Sequence, residues 1–223
     1  MVKAEPEILI SLTNDLQVEY LNRGIAGKES FYYECRDRYN NAILDANHRT
    51  ALFIFLNHTC FNGLFRVNTA GHFNVPFGRY NSPVICDPSS IMETHRVMNS
   101  LAFTILPPGD YKNTAKHLSR KGLNFIYLDP PYRPLSNTSY YKGYSNEPFG
   151  DKQQVDLKLF CDKLTDKGHY LMLSNSNSLK EDGTSYFEDL YEGYNLCKVE
   201  VPRFINANGL ERRRIKEVLI RNY

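Results

Sequence analysis

The junction at which Asn124-Phe125-Ile126-Tyr127-Leu128 runs into Asp129-Pro130-Pro131-Tyr132 constrains the fold more than any other stretch of this chain. The leading segment is apolar, short and aromatic, the pattern of a buried strand. Two consecutive prolines cannot extend it, because they donate no amide hydrogen and fix their own backbone torsions. A carboxylate, a rigid carbonyl and an aromatic ring are thereby held in one turn at the carboxyl end of a strand. Open α/β sheets bind ligands at such ends. A functionless proline turn is the plainer alternative, and the strand directly before it counts against that alternative.

The flanking sequence supports an α/β reading over residues 101–223. Residues 102–106 form a short apolar run ending at Pro107-Pro108-Gly109-Asp110, and residues 111–120 are a helix candidate. Residues 153–165 are amphipathic. Residues 169–173 read as a second buried strand that ends in a polar turn, Ser174-Asn175-Ser176-Asn177-Ser178. Residues 186–191 suit a short helix, and residues 195–201 and 215–222 alternate like a closing antiparallel pair. The order predicts a Rossmann-like α/β sheet with an antiparallel edge.

Residues 1–100 have a different character. Ile8, Leu12, Leu16 and Leu21 share one helical face, Phe31, Tyr32, Cys35 and Tyr39 share another, and residues 50–56 are a third apolar stretch. Residues 59–83 are rich in Asn, Gly and aromatics, with turn-like Cys60-Phe61-Asn62-Gly63 and Thr69-Ala70-Gly71. They predict a hairpin or loop projecting from a helical body.

Composition narrows the function classes. The net charge of +2 neither requires nor excludes nucleic acid. Hydrophobic content of 42% and charged content of 23% suit a soluble globular chain. No apolar run approaches the roughly 18–20 residues of a membrane span. Lys3, Glu5 and Glu7 are unlike a secretory signal. The five cysteines contain no C-x-x-C pair, which argues against a zinc site or a disulfide framework and fits a reducing cytoplasm. The 16 tyrosines can stack on bases or simply pack.

Several segments, in order, resemble the D12-class DNA adenine-N6 methyltransferases, including enzymes that modify GATC. They are Phe61-Asn62-Gly63-Leu64-Phe65-Arg66-Val67-Asn68, Phe73-Asn74-Val75-Pro76-Phe77-Gly78-Arg79-Tyr80, Asp129 to Tyr132, Leu135-Ser136-Asn137-Thr138-Ser139 and Met172-Leu173-Ser174-Asn175-Ser176. The resemblance implies a cytoplasmic, bacterial or phage-encoded enzyme on double-stranded DNA, with S-adenosylmethionine as methyl donor and no metal. Service in a restriction–modification system is left open. Adenine N6 is a poor nucleophile, because its lone pair is delocalised into the ring. Asp129 and the Pro130 carbonyl would accept its two hydrogens and localise that pair. Pro131 keeps the turn rigid, and Tyr132 would stack on an adenine flipped out of the duplex.

In the resembled family the stretch matching residues 59–83 enters the major groove. Arg66 is the candidate for gripping guanine O6 and N7 together. Phe61 and Asn62 would wedge near the extruded base, Pro76 would meet a thymine methyl, and Asn68 belongs to the same reading segment. Arg79 and Tyr80 would touch phosphates. A structural hairpin with ordinary surface arginines is the plainer alternative. Gly109-Asp110-Tyr111 resembles the turn that meets the donor's adenine, with Asp129 near the methyl end, although an ordinary helix N-cap explains Asp110 equally well. Lys112, Lys116, His117, Arg120 and Lys121 read as a solvated face, and Arg212-Arg213-Arg214 as a phosphate contact or an exposed basic turn.

The family's Phe-x-Gly-x-Gly donor loop and the acidic turn that holds the ribose are not found in these 223 residues. The strands carrying them are expected beside the strand at residues 124–128, so their absence predicts unpaired sheet edges. This leads to the expectation of a complementing N-terminal methyltransferase segment on a partner chain. The alternative is a truncated, inactive DNA-binding remnant. RNA or protein methylation is a weaker reading, because of the segment from Phe61 to Tyr80.

Overall fold

The computed structural model describes residues 1–100, 102, 104–119, 121–135, 149–202 and 214–223. The expectations on Ser136, Asn137, Thr138, Ser139, Arg120, Arg212 and Arg213 lie outside the described residues. The chain divides into two compact units, Met1–Leu106 and Pro107–Tyr223.

The first unit is built on α1 (Pro6–Leu21), α2 (Ile25–Asn41), α3 (Ala46–Thr59) and α4 (Pro88–Ser100). Pro6 starts α1 where a missing amide hydrogen costs nothing. Asp45 caps α3 by accepting from the amides of Asn47 and His48 at 2.9 and 3.0 Å. Tyr20, Phe31, Tyr32, Cys35, Leu52, Phe55 and Leu56 close one core, joined by Phe73, Val75 and Phe77 of the long connection between α3 and α4. That connection contains isolated antiparallel bridges, Cys60 with Phe77 and Val67 with Phe73, rather than regular strands. α4 lies beyond the helices read from the sequence.

The second unit is a mixed α/β structure on a four-stranded sheet of order β1-β2-β4-β3. The strands are β1 (Phe125–Leu128), β2 (Tyr170–Ser176), β3 (Asn195–Pro202) and β4 (Arg214–Arg221), with α5 (Asp151–Thr165) and α6 (Tyr186–Leu190) between them. β1 and β2 run parallel, in register from Phe125 with Tyr170 to Leu128 with Leu173. β2 and β3 each pair antiparallel with β4, which is the expected antiparallel edge. One sheet face packs Leu171, Leu173, Val218 and Ile220 against Leu157, Cys161 and Leu164 of α5 and Phe187 of α6. The other face leaves Phe125 57% and Tyr127 54% exposed.

The structure departs from three readings of the sequence. No strand forms at residues 102, 104, 105 and 106, and Ile105 is 73% exposed. An apolar run becomes a strand only where a neighbour takes up its hydrogen bonds, and none lies alongside among the described residues. The helix expected at residues 111–120 is a 3-10 segment, Tyr111–His117. β2 does not stop at Leu173 but continues to Ser176, because β4 pairs with Ser174, Asn175 and Ser176 through Leu219, Val218 and Glu217. β1 itself is only half buried, and among the described residues it pairs with β2 alone.

Candidate functional site

Register decides what surrounds the proline turn. Leu128 and Leu173 are the last ladder pair of β1 and β2, so Asp129 and Ser174 come next, side by side. In-register parallel neighbours point to the same face, and residues two apart on a strand do likewise. Tyr127, Asp129 and Ser174 thus share the face opposite the Leu128–Leu173 core. The Ser174 hydroxyl donates to Asp129 Oδ1 at 2.9 Å, and the Tyr127 hydroxyl lies 3.0 Å from Ser174 Oγ. Ser174 has one hydroxyl hydrogen. With that hydrogen on Asp129, Tyr127 donates to Ser174.

An amide relay holds the other side of the turn. Gln154 of α5 is fully buried and donates to the Pro131 carbonyl at 3.2 Å. Asn175 donates to Gln154 Oε1 at 3.4 Å and accepts from the Arg133 backbone amide at 2.9 Å. Ser176 donates to the Arg133 carbonyl. Arg133 reaches back to both oxygens of Asp151, at 2.8 and 3.2 Å, with its guanidinium 4.2 Å from the centre of the Tyr186 ring. Tyr132 donates to Glu217 at 3.2 Å, and burial raises its hydroxyl pKa.

Asp129, Pro130 and Pro131 open onto a cavity of about 260 Å³ that Tyr111, Tyr127, Phe149 and Leu157 also line. Tyr111 meets Phe160 edge-on at 5.4 Å, and burial pushes its hydroxyl up to about 12. Asp110 accepts from the Lys112 amide at 2.9 Å, an N-cap of the 3-10 segment. Sequence reasoning thus names Tyr111 and the proline turn, which share a cavity, but not the residues that hold the turn. Gln154 carries a signal that was readable: it is a polar residue on the stripe Gln154, Leu157, Cys161, Leu164 of an amphipathic helix. Asn175 and Ser176 stand in one of the segments that carry the resemblance, but Ser and Asn after a strand read as a turn, so nothing in them pointed to this holding role.

The hairpin residues belong to the first unit. Asn62 has left-handed torsions (φ 54°, ψ 23°) at the turn after α3, and its amide donates to the Tyr80 hydroxyl at 3.2 Å. Phe61, Arg66, Pro76, Arg79 and Tyr80 are all exposed. Arg79 has φ 57°, a conformation uncommon outside glycine. Gly78 leaves no room for a side chain, because a Cβ there would lie 2.5 Å from the Cys60 carbonyl oxygen. Asn68 spends its side-chain oxygen at home, accepting from the amides of Ala70 and His72, both at 3.0 Å. Arg66 grips Asn74 through Nε at 2.7 Å and Nη2 at 3.1 Å.

Side chains of the helices hold this connection by its backbone. Tyr20 donates to the carbonyl of Tyr80 at 2.6 Å, and Lys28 to that of Asn81 at 2.6 Å. Tyr32 and Arg36 both donate to the Val75 carbonyl, at 2.8 and 3.1 Å. Asn40 donates to the Phe73 carbonyl at 3.0 Å and accepts from the Phe73 amide at 2.8 Å. Gln17 accepts from the amides of Ile85 and Cys86.

The matches to known proteins span residues of both units. A family model described as D12 class N6 adenine-specific DNA methyltransferase matches residues 7–205. The chain is 38% identical to the Type II methyltransferase M.MjaIII of Methanocaldococcus jannaschii, covering 100% of this chain and 75% of that protein. It is 34% identical to the Type II methyltransferase M1.LlaDCHI of Lactococcus lactis subsp. cremoris, covering 100% and 74%. With the DNA adenine methylase of Escherichia coli K12 it shares 29% identity, over 98% of this chain and 69% of that protein. Asp129 to Tyr132 and the hairpin segments both fall inside the matched span, and the chain belongs to the D12 class N6 adenine-specific DNA methyltransferase family.

Proposed function

We propose that the chain holds and activates a flipped adenine in double-stranded DNA for methylation at N6, with GATC as the target and S-adenosylmethionine as donor. The observation that carries this reading is the register that sets Asp129 beside Ser174 at the mouth of the cavity. Ser174 engages Oδ1 and fixes the carboxylate, so that Oδ2 and the Pro130 carbonyl can accept the two N6 hydrogens. Accepting them draws the nitrogen toward a tetrahedral geometry and exposes its lone pair. Tyr132, held at its hydroxyl by Glu217, stacks on the base. In the first unit Arg66 reads guanine, Phe61 and Asn62 fill the gap left by the base, Pro76 meets a thymine methyl, and Arg79 and Tyr80 hold phosphates.

S-adenosylmethionine supplies the electrophilic methyl group when bound. The residues present fit part of it: the cavity offers a carboxylate edge and aromatic walls. Its volume of about 260 Å³ lies below the roughly 300–1,000 Å³ that encloses a drug-sized ligand, room for one ring system rather than a whole nucleoside donor. Asp110 and Tyr111 are placed against the donor's adenine in this reading. We assign the rest of the donor site to a segment that pairs with the edge of β1 left open among the described residues, in the same or a second polypeptide. The place of β1 at the end of the strand order among the described residues supports that assignment.

A transfer assay with labelled donor and GATC duplex tests the reading, using the chain alone and joined to a segment that carries the donor loop. Transfer is expected with that segment, and Asp129→Ala should reduce it by about 100- to 1,000-fold while DNA binding persists. Transfer by the chain alone refutes the need for a complement. DNA binding without transfer under any condition supports a binding remnant instead.

A further inference from the structure

We infer that Asn74 is a positioning residue that presents Arg66 to guanine and so sets the strength of base discrimination. The inference rests on the proposed guanine contact of Arg66. Two hydrogens on one edge of the guanidinium, from Nε and Nη2, are taken by the side-chain and backbone oxygens of the same residue. The Asn74 amide donates back to the Arg66 carbonyl at 3.0 Å. Asn74 is itself fixed from both sides. Phe73 is held at its amide and carbonyl by Asn40, and the Val75 carbonyl by Tyr32 and Arg36. Both neighbours are buried, at 2% and 1% exposure.

A guanidinium has five hydrogens. After two go to Asn74, the two on Nη1 and one on Nη2 remain, forming a fork at the tip of an exposed side chain. That fork is the one that matches guanine O6 and N7. A free arginine must freeze its rotamers when it binds, whereas one already held loses less. Asn74 touches no base in this account; it orders the residue that does.

Equilibrium binding of the chain to a GATC duplex, and to one with 7-deazaguanine at both guanines, tests the inference, because the analogue lacks only the N7 acceptor. The wild-type chain should prefer the natural duplex by about tenfold. Asn74→Ala should bring that preference close to unity and change affinity for the analogue less than twofold. Asn74→Asp, which keeps the acceptor, should retain the preference, and Arg66→Ala with Asn74→Ala should behave like Arg66→Ala alone. Asn74→Ala with a wild-type preference, beside Arg66→Ala without one, overturns the inference and leaves the guanine contact standing. Equal weakening on both duplexes, or loss of the preference in Asn74→Asp, also overturns it. Arg66→Ala with an undiminished preference overturns the guanine contact first.

Discussion

The hairpin of the first unit and the proline turn of the second are both irregular backbone, but they are held by opposite means. The connection from Cys60 to Cys86 has isolated bridges in place of a ladder, and side chains from α1 and α2 take up its main-chain groups: Gln17, Tyr20, Lys28, Tyr32, Arg36 and Asn40. The proline turn hangs from a strand end, and its neighbours come from strand register: Ser174, Asn175 and Ser176 of β2 reach it from beside β1, helped by the buried Gln154 of α5. A segment held by side chains can vary its tip while the clamps stay. A turn held by register must keep the strands that define it.

The comparison can be broken first at Gly78. Cys60 and the Tyr80 ring leave no space for a methyl group there, so Gly78→Ala should destabilise the chain by about 2–3 kcal/mol. Thermal unfolding should show this, with DNA binding lost. A near-wild-type melting temperature would mean that the hairpin base yields more than the helical clamps suggest.

Gln154→Ala probes the other region. It strands the Pro131 carbonyl and the Asn175 amide in a buried site, at a cost of about 1–2 kcal/mol. A displaced turn should also slow methyl transfer on the order of tenfold to a hundredfold, with DNA affinity unchanged in a binding titration. An equal loss of DNA affinity would erase the distinction between the regions.

The smallest expected effect is an acid titration. Asp87 opens α4, and hydrogen bonds, first from the Ser89 hydroxyl and then from Ser90, hold its carboxyl down at about 2, from an ordinary 3.8. A depressed folded value stabilises the fold above pH 3.8, and that stabilisation is lost as pH falls toward 2. Asp87→Asn should flatten this part of the stability curve in denaturant melts at stepped pH. The amide relay of Gln154 and Asn175 holds no titrating group and should not contribute to it.

What could be read from the sequence follows the same division. The end of β1 was legible because an apolar run meets two prolines, a local signal. The three long helices were legible from spacing. That no strand forms at residues 102, 104, 105 and 106 was not, since an apolar run carries no information about whether a partner lies beside it. Nor was the extension of β2 through Ser174, Asn175 and Ser176, whose partners lie some forty residues on in β4. Asn68 could be placed in the hairpin, but its use of its own oxygen to close the tip depends on torsions that residue type does not dictate.

The β1–β2 register limits how this chain can change length. Side chains alternate with a period of two, so inserting or deleting one residue within β1 would send Asp129 to the core side, and the same change within β2 before Ser174 would send Ser174 there; either one parts the pair. The strands can exchange one apolar residue for another without moving the carboxylate. Composition there is free to drift, whereas the parity of residues between the strand start and Asp129 is not.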